Sequence, residues 1–336
     1  MLKTMLAAAL ICSLAAPAAA QNPHLVVYQG DRGPAVGKHI VFLAGDHEYR
    51  SEESLPALAR ILAKHYGFKC SVFFTTDPKT GFIEPGSSNI SGLEALKTAD
   101  LLVIFLRFQD FPDAEMQHIA DYLARGGPVV GFRTATHAFQ IKRPDAKFLK
   151  YHWQTGEAYP GGFGRQILGE TWVSHYGTNH KMSSRLVLAP DQANHPILRG
   201  VKDVWVQSGG YTAHPIEGSV ILATGQILDG MTPDSPPAAG KEQMPVAWYR
   251  TYTSESGKRG RVFTTTHGAS EDLLNDGFRR LSVNAILWAA GLERSITATG
   301  DISFVGPYHP STFAFGGFVK GVKPADMAGW DTPIPK

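Results

Sequence analysis

Residues 128–139, PVVGFRTATHAF, decide the fold of this chain. The run PVVGF is apolar and carries no charge, which is typical of a strand buried on both faces of a parallel sheet. Polar side chains follow it at once: Arg133, Thr134, Thr136 and His137. A strand that ends in this way brings them to the carboxyl edge of the sheet, where open α/β proteins bind their ligands.

Three more apolar runs lie upstream, at residues 39–44, 70–75 and 101–106. Leucines at helical spacing follow the first run, and a second helical pattern opens at Asp113 and ends before PVVGF. The order is therefore β-α-β-α-β. It predicts an α/β fold with a doubly wound, mostly parallel sheet.

The second half of the chain has a looser pattern. Residues 141–164 are rich in Gly, Pro, Tyr and His, and they predict a long insertion rather than core. Regular patterns then return, with strands predicted at residues 185–189, 219–227, 245–252 and 261–266. A last helix is predicted from Phe278 to Gly291. We divide the chain into an extension at residues 21–37, an α/β domain at 38–294 and an irregular tail at 295–336 that packs on the domain.

The first twenty residues have the pattern of a secretory signal. Lys3 precedes an apolar stretch, and small residues lead to a cleavage site after Ala20. The stretch is too short to span a bilayer, so we expect an exported, periplasmic or secreted protein without stable membrane insertion. Cys70 then remains as the single cysteine, which excludes an internal disulfide framework.

Composition limits the classes of partner. A formal net charge of +2 gives no support for a nucleic-acid surface. A hydrophobic content of 43% is ample for one large domain without disulfides. The sequence leaves a homo-oligomer open.

A dense mixture of ionisable groups follows the first strand. It comprises Asp46, His47, Glu48, Tyr49 and Arg50, and we expect this loop to line a ligand site. Glu52 and Glu53 open the next helix, where acids stabilise the helix dipole by about 0.3 to 1 kcal/mol each. Glu53 is consistent with either capping or catalysis.

Two arginines occupy equivalent positions, because Arg107 follows one apolar strand and Arg133 follows another. Their fixed, always-charged donors suit a carboxylate, a polyol or an enolate oxygen. The alternative is that each pairs with an acid, Asp110 or Glu170, only to hold loops.

Among the histidines, His137 is the best candidate for a general base or acid, because an unperturbed imidazole titrates near neutral pH. His137, His175 and His180 are candidate metal ligands, and a divalent ion such as zinc stays open. No HExxH or CxxC spacing occurs, so the zinc signal is weak. Aromatic residues, Trp153 and Trp172 among them, crowd the loose segment and are consistent either with sugar stacking or with the underside of a lid.

Several segments, taken in order, resemble the ThuA-like (trehalose-utilisation) family, a branch of the class I glutamine-amidotransferase-like fold, which is flavodoxin-like. They are GDHEYRSEESLPALARIL, VVGFRTATHAF, GRQILGETWVSH, NHPILRG, GRVFTTTHGAS and FRRLSVNAILWAAG, and together they span residues 38–292. Many members have His-Ser or His-Ala where this chain has Arg133-Thr134, and Gly-His where His267 precedes Gly268. In amidotransferases the turn holds a nucleophilic cysteine. Arg133 stands there instead, which excludes thiolate chemistry.

The resemblance implies carbohydrate metabolism, with a small-molecule carbohydrate such as a trehalose-like disaccharide or its 3-keto derivative as substrate. A ketone at C3 acidifies the C2 hydrogen, so the glycosidic bond can break after proton abstraction. The roles this implies are His137 or Glu53 as base, Arg133 and Arg107 or a metal as enolate stabiliser, and Asp46 or His175 as acid. The expected substrate contacts are His47, Glu48, Tyr49, Arg50, Arg107, Trp153, Arg165, Trp172 and His267.

The alternative is a non-catalytic sugar-binding or assembly module that kept the fold. A pure binder has little use for so many ionisable groups at one sheet edge, and this favours an enzyme.

Overall fold

The computed structural model describes residues 22–334, so the predicted signal peptide at residues 1–20 lies outside the described part. The first half of the chain contains β1 (Leu25–Gln29), β2 (His39–Gly45), α1 (Ser51–Tyr66), β3 (Lys69–Phe74), β4 (Leu101–Leu106), α2 (Asp113–Ala124) and β5 (Val129–Phe132). The second half contains β6 (His175–Tyr176), β7 (Ser183–Leu188), β8 (Trp205–Val206), β9 (Gly210–Tyr211), β10 (Val220–Leu228), β11 (Met244–Thr253), β12 (Arg259–Thr265) and α3 (Asp276–Ala289).

Ten strands form one sheet in the order β1-β3-β2-β4-β5-β12-β11-β10-β7-β8, and β6 pairs with β9 in a separate ribbon. The five strands from β3 to β12 run parallel to one another. β1 at one edge, and β11, β10, β7 and β8 at the other, are joined by antiparallel pairings. The α/β class is confirmed. The sheet as a whole is mixed rather than mostly parallel.

The parallel core explains its own sequence pattern. All seven residues of β2 are buried. Ile40 and Phe42 belong to the apolar cluster that includes α1 and α3, whereas Val41 and Leu43 belong to the cluster that includes α2. Both faces are therefore covered by helices, which is why these strands read as unbroken apolar runs.

Residues 141–164 differ from the prediction of an insertion outside the core. Phe148, Tyr151 and Phe163 are buried and belong to the α2-side apolar cluster. Their backbone is irregular apart from a short turn at Leu149–Tyr151 and a helical turn that leads from Phe163 into Gly164–Leu168, so they show no periodicity that would mark them as core.

The C-terminal segment covers the outer side of α1. The guanidinium of Arg60, which is fully buried, donates to the carbonyl oxygens of Met327 at 2.9 Å and Thr332 at 2.7 Å. The Tyr28 hydroxyl of β1 donates to the Met327 oxygen at 2.8 Å. Across residues 22–334, every helix is too short or too polar to serve as a membrane span.

Candidate functional site

Strand ends bring the candidate residues to one edge of the sheet. The loop that begins at Asp46 follows β2, Arg107 follows β4, Arg133 follows β5, and His267 lies two residues after β12. These four strands run parallel, so their carboxyl ends lie at the same edge.

Backbone strain is concentrated at this edge. Six non-glycine residues among the described ones have positive φ, and four of them lie here: Arg50 (64°), Phe108 (53°), Arg133 (43°) and His180 (61°). L-residues rarely adopt this left-handed region, and such conformations cluster at functional sites. The geometry therefore marks the edge as a functional region independently of its residue types.

His137 lies in a cage of aromatic rings and is 1% exposed. Its ring centroid is 4.9 Å from Phe108, 5.3 Å from Trp172 and 5.8 Å from Tyr211. Burial lowers the pKa of His137 well below its usual value, and the positive charge of Arg107 lowers it further. The imidazole is therefore neutral at pH 7.

Thr136 is the hydrogen-bond partner of His137. The Thr136 oxygen lies 3.3 Å from the Arg133 carbonyl oxygen and 3.2 Å from His137 Nδ1. When the hydroxyl donates to the carbonyl oxygen, it accepts from Nδ1–H and Nε2 is the basic nitrogen. When it donates to Nδ1, the roles of the two ring nitrogens are exchanged.

Arg107 connects the cage to the loop after β2. Its Nη1 lies 3.2 Å from Glu48 Oε2 and donates to His47 Nε2 at 3.2 Å. Burial raises the pKa of Glu48, and Arg107 opposes that rise. Burial lowers the pKa of His47. The guanidinium thus has a carboxylate partner and still lies 5.1 Å from the Phe108 ring.

Tyr49, His175 and Asn179 form a second polar group beside the cage. Asn179 Nδ2 donates to the Tyr49 hydroxyl at 2.9 Å, and that hydroxyl lies 3.0 Å from His175 Nε2. The His175 ring packs 5.7 Å from Trp172, but the residue is exposed. The pKa of His175 is lowered by partial burial and by Arg133 and Arg107.

Arg133 lies inside the protein rather than in the cage. It is fully buried, and its Nη1 donates to the carbonyl oxygens of Gly209 at 2.7 Å and Thr266 at 2.9 Å. Its guanidinium stacks on the Tyr49 ring at 3.7 Å and on Tyr211 at 4.9 Å. The contacts describe an arginine that holds the two tyrosines and the β12 end in place.

Asp46 is likewise occupied by the loop itself. Its Oδ1 accepts from the backbone N–H of Glu48 at 2.8 Å and from that of Tyr49, and its Oδ2 accepts from the Thr134 hydroxyl at 2.7 Å. The residue is fully buried. These contacts fix the loop, and both carboxylate oxygens of Asp46, the expected acid, already accept hydrogen bonds from the protein.

Glu53 and Arg50 turn away from His137 towards the C-terminal segment. The Glu53 carboxylate accepts from the Ser311 backbone N–H at 2.8 Å and from the Ser311 hydroxyl. Arg50 donates to the Ala314 carbonyl oxygen and lies 3.4 Å from Glu52 Oε1. The expected roles of Glu53 as base and of Arg50 as substrate contact do not fit this placement.

The buried carboxyl groups of Glu52 and Glu53 predict a pH dependence of stability. Burial raises the pKa of Glu52 to about 8 and that of Glu53 to about 7. A raised carboxyl pKa means that the folded state holds protons more tightly than the unfolded state, so stability falls as pH rises through the folded pKa. Between pH 7 and 8.5 we expect these two carboxyls to lower the free energy of unfolding by roughly 1–2 kcal/mol.

Urea denaturation at a series of pH values measures this slope. The buried histidines with lowered pKa values act in the opposite sense, by about 0.15 kcal/mol each, because an unfolded imidazole is still partly protonated at pH 7. Comparison of the wild type with a carboxyl variant cancels their contribution. The variant Glu52→Gln should show a shallower slope. An equal slope in the wild type and the variant would contradict the assignment.

The remaining candidates are distributed around the edge. Trp153 and Trp172 pack 5.8 Å apart at the wall of the cage. Arg165 forms an ion pair with Glu170, one of the two acids expected as alternative partners of Arg107 and Arg133. His267 is fully buried, and burial together with Arg133 lowers its pKa to about 3. Neither Arg165 nor His267 forms a hydrogen bond with His137 or with the aromatic rings around it.

The three candidate metal ligands are not arranged as a set. His137 lies in the cage, His175 pairs with Tyr49, and His180 stacks on Phe313 at 4.3 Å. Within residues 22–334, no group of three or more His, Cys, Asp or Glu side chains could hold a metal ion. The residues present do not fit the zinc site considered from the sequence.

Several residues at the edge were missed by the sequence analysis. Phe108 follows Arg107 directly and could have been found by the same strand-end argument. Tyr211 belongs to β9, a strand of two residues that is too short to show a pattern, and Asn179 comes from an irregular segment. Phe313 and Phe315 come from the tail, where no pattern marks them. Asp272 lies near the start of a helical pattern, where acidic residues are common, so the sequence does not single it out.

Asp272 is a buried carboxylate that ties two loops together. It accepts from the backbone N–H of Gly268 at 3.0 Å, Ala269 at 2.9 Å, Gln207 at 3.0 Å and Ser208 at 3.2 Å. The Ser208 hydroxyl also donates to it. Asp272 therefore fixes the strand end after β12 against the segment that carries Tyr211.

A separate cleft of about 260 Å³ lies between α2 and the insertion and is lined by Phe148, Tyr151, Tyr159 and Tyr252 among others. None of the predicted site residues lines it. We place the candidate site at the carboxyl edge of the sheet, where the backbone is strained, because acid–base catalysis requires the ionisable side chains that lie there.

Comparisons with known proteins bear on the family. Residues 39–289 match a family model described as ThuA, trehalose utilisation. A ThuA-like protein from Bacteroides uniformis is 15% identical, with a TM-score of 0.46 over 77% of this chain and 93% of that one. A ThuA-like protein from Parabacteroides merdae is 16% identical, with a TM-score of 0.45 over 83% of this chain and 96% of that one. No curated protein matches the sequence. Because the family model covers well over half of its length, the chain belongs to the ThuA (trehalose utilisation) family.

Proposed function

We propose that this chain is an exported enzyme of carbohydrate metabolism that cleaves a disaccharide, or its 3-keto derivative, by acid–base chemistry in the His137 cage. The observation that carries the proposal is His137 itself. It is a neutral imidazole that contacts the Thr136 hydroxyl, held among aromatic rings and close to a guanidinium group. A base beside a fixed cation suits a reaction in which a proton leaves and negative charge develops on oxygen.

The first step of the proposed reaction forms an enolate. His137 Nε2 takes the hydrogen from C2 of the keto-sugar, and the electron pair of that C–H bond moves to the C3 oxygen. Arg107 stabilises the resulting charge, because guanidinium remains protonated throughout and is held in place by Glu48. Trp153 and Trp172 offer apolar ring faces for the sugar.

The second step breaks the glycosidic bond. The enolate reforms the C3 ketone, a C1–C2 double bond forms and the C1–oxygen bond breaks, while the leaving oxygen takes the proton that His137 removed from C2. Water then adds across the double bond: its hydroxyl bonds to C1, and its other hydrogen passes through His137 to C2. His175 has no proton to give at pH 7, because its pKa is lowered. Asp46, Glu53 and Arg133 have no step in this proposal, since their polar groups are used by the protein's own loops.

The test is turnover of trehalose and of 3-keto-trehalose by the purified protein, with products followed by mass spectrometry. We expect cleavage of the keto-sugar alone and a primary isotope effect when C2 carries deuterium. Parallel assays after chelator treatment report whether a metal contributes. Cleavage of unmodified trehalose without an isotope effect would overturn the enolate route. Saturable binding of both sugars without products would favour a sugar-binding module.

A further inference from the structure

The segment of residues 311–317 is fastened across the loop that follows β2. Ser311 is bound to Glu53, the Ala314 carbonyl oxygen accepts from Arg50, and the Gly316 N–H donates to the His47 carbonyl oxygen at 3.0 Å. Three anchors over six residues hold this short stretch in a defined position. It lies beyond residue 289, where the family model ends.

Two phenylalanines of this segment have opposite surroundings. Phe313 is fully buried and packs 5.1 Å from Tyr49 and 4.3 Å from His180. Phe315 is 62% exposed. It is the sole aromatic among the large exposed apolar residues of the described chain, the others being aliphatic.

Phe315 is exposed, but its ring is held in place. The Arg107 guanidinium lies 4.5 Å from the ring centroid, and the His47 ring lies 5.8 Å away. A cation over an aromatic face is an attractive contact that fixes the relative orientation of both groups. The outer face of Phe315 is therefore presented to solvent in a set orientation, which lowers the entropic cost of a ligand stacking on it.

A line of rings connects Phe315 to the proposed base. Arg107 lies between Phe315 and Phe108, and the Phe108 ring is 4.9 Å from His137. Phe315 therefore lies on the Arg107 side of the His137 cage, two side-chain contacts from Phe108, one of its rings.

We infer that Phe315 forms the outer wall of the sugar site and stacks on the second ring of a disaccharide, so that the C-terminal segment selects disaccharides over monosaccharides. The inference rests on the proposed function. The C–H face of a pyranose is apolar, and an exposed aromatic ring is a matching surface for it. Arg107, beside it, can donate to ring hydroxyls.

Isothermal titration of the full-length protein with trehalose and with glucose tests the inference, alongside turnover of 3-keto-trehalose. For Phe315→Ala we expect trehalose binding to weaken, and KM to rise, about fivefold to tenfold, with kcat changed less than twofold. Glucose binding should not change. Phe315→Trp should restore trehalose affinity. Leu274→Ala, at a residue that is 51% exposed, is the matched control for loss of an exposed apolar side chain.

The outcomes separate the two proposals. If the wild type binds trehalose and Phe315→Ala binds it equally well, the inference is overturned while the proposed function stands. If the wild type neither binds nor cleaves either disaccharide, the proposed function fails and the inference with it. The melting temperature of Phe315→Ala should stay within about 2 °C of wild type, because little surface is buried there. A larger fall would assign Phe315 a structural role instead.

Discussion

Replacement of His137 by glutamine should lower kcat on 3-keto-trehalose by about 10²- to 10⁴-fold, the usual contribution of a positioned general base. Glutamine is similar in size and can keep the hydrogen bond to Thr136, but it cannot accept a proton at neutral pH. Trehalose affinity should therefore stay within a few-fold of wild type. Steady-state kinetics and calorimetric titration measure the two quantities separately.

His39→Gln is the matched control for this variant. His39 is also a buried histidine with a lowered pKa, but it opens β2 at the opposite end of the sheet. The kcat of the His39→Gln variant should remain close to the wild-type value. If His137→Gln retained kcat within threefold, His137 would not be the base. The pH profile gives a second check, because a lowered pKa keeps His137 basic well below pH 6.5 and kcat/KM should hold there.

Asp272→Ala should give the largest loss of stability, about 3–5 kcal/mol in the free energy of unfolding. Removal of the carboxylate leaves four backbone N–H groups without their acceptor, those of residues 208, 268 and 269, which are buried, and that of residue 207, which is half-buried. Urea denaturation measures the loss. Asp234→Ala, at an exposed acid, should change stability by less than about 0.5 kcal/mol.

A small effect of Asp272→Ala would mean that the loops after β8 and β12 find other partners. Asp272→Asn distinguishes loss of charge from loss of shape, since the amide keeps one acceptor oxygen. We expect it to be intermediate between alanine and wild type.

The parallel core of the sheet could be predicted because its strands are covered on both faces. A strand that is buried on both faces is an unbroken apolar run, as in Leu101–Leu106. Such a run can be recognised from the sequence without knowing which strands pair with it. The antiparallel half could not be assembled in the same way. β7, β10 and β11 were located from local patterns, whereas β8 was not. The pairing of these strands depends on contacts between residues far apart in sequence, for which one sequence gives no signal.

The position of the site at the carboxyl edge of the sheet could be predicted better from the sequence than the role of each residue in it. Strand ends placed Arg107, Arg133 and His137 at one edge, but they did not give the direction of each side chain. Arg133 has φ 43° and its guanidinium enters the interior, whereas Arg107 stays beside the cage. The direction of each side chain depends on packing against rings that are distant in sequence, here Tyr49 and Tyr211. Secondary-structure propensity and residue spacing do not encode this packing.

The fastening of residues 311–317 onto Glu53 and Arg50 has a consequence for biosynthesis. Chains fold from the N-terminus as they are made, so the strands of the parallel core can pair while later residues are still being added. The wall that contains Phe315 joins the start of α1 only after some 260 further residues have emerged. A nascent chain, or one clipped before residue 311, could therefore possess the His137 cage without its outer wall, and would meet sugars with a different preference from the finished protein.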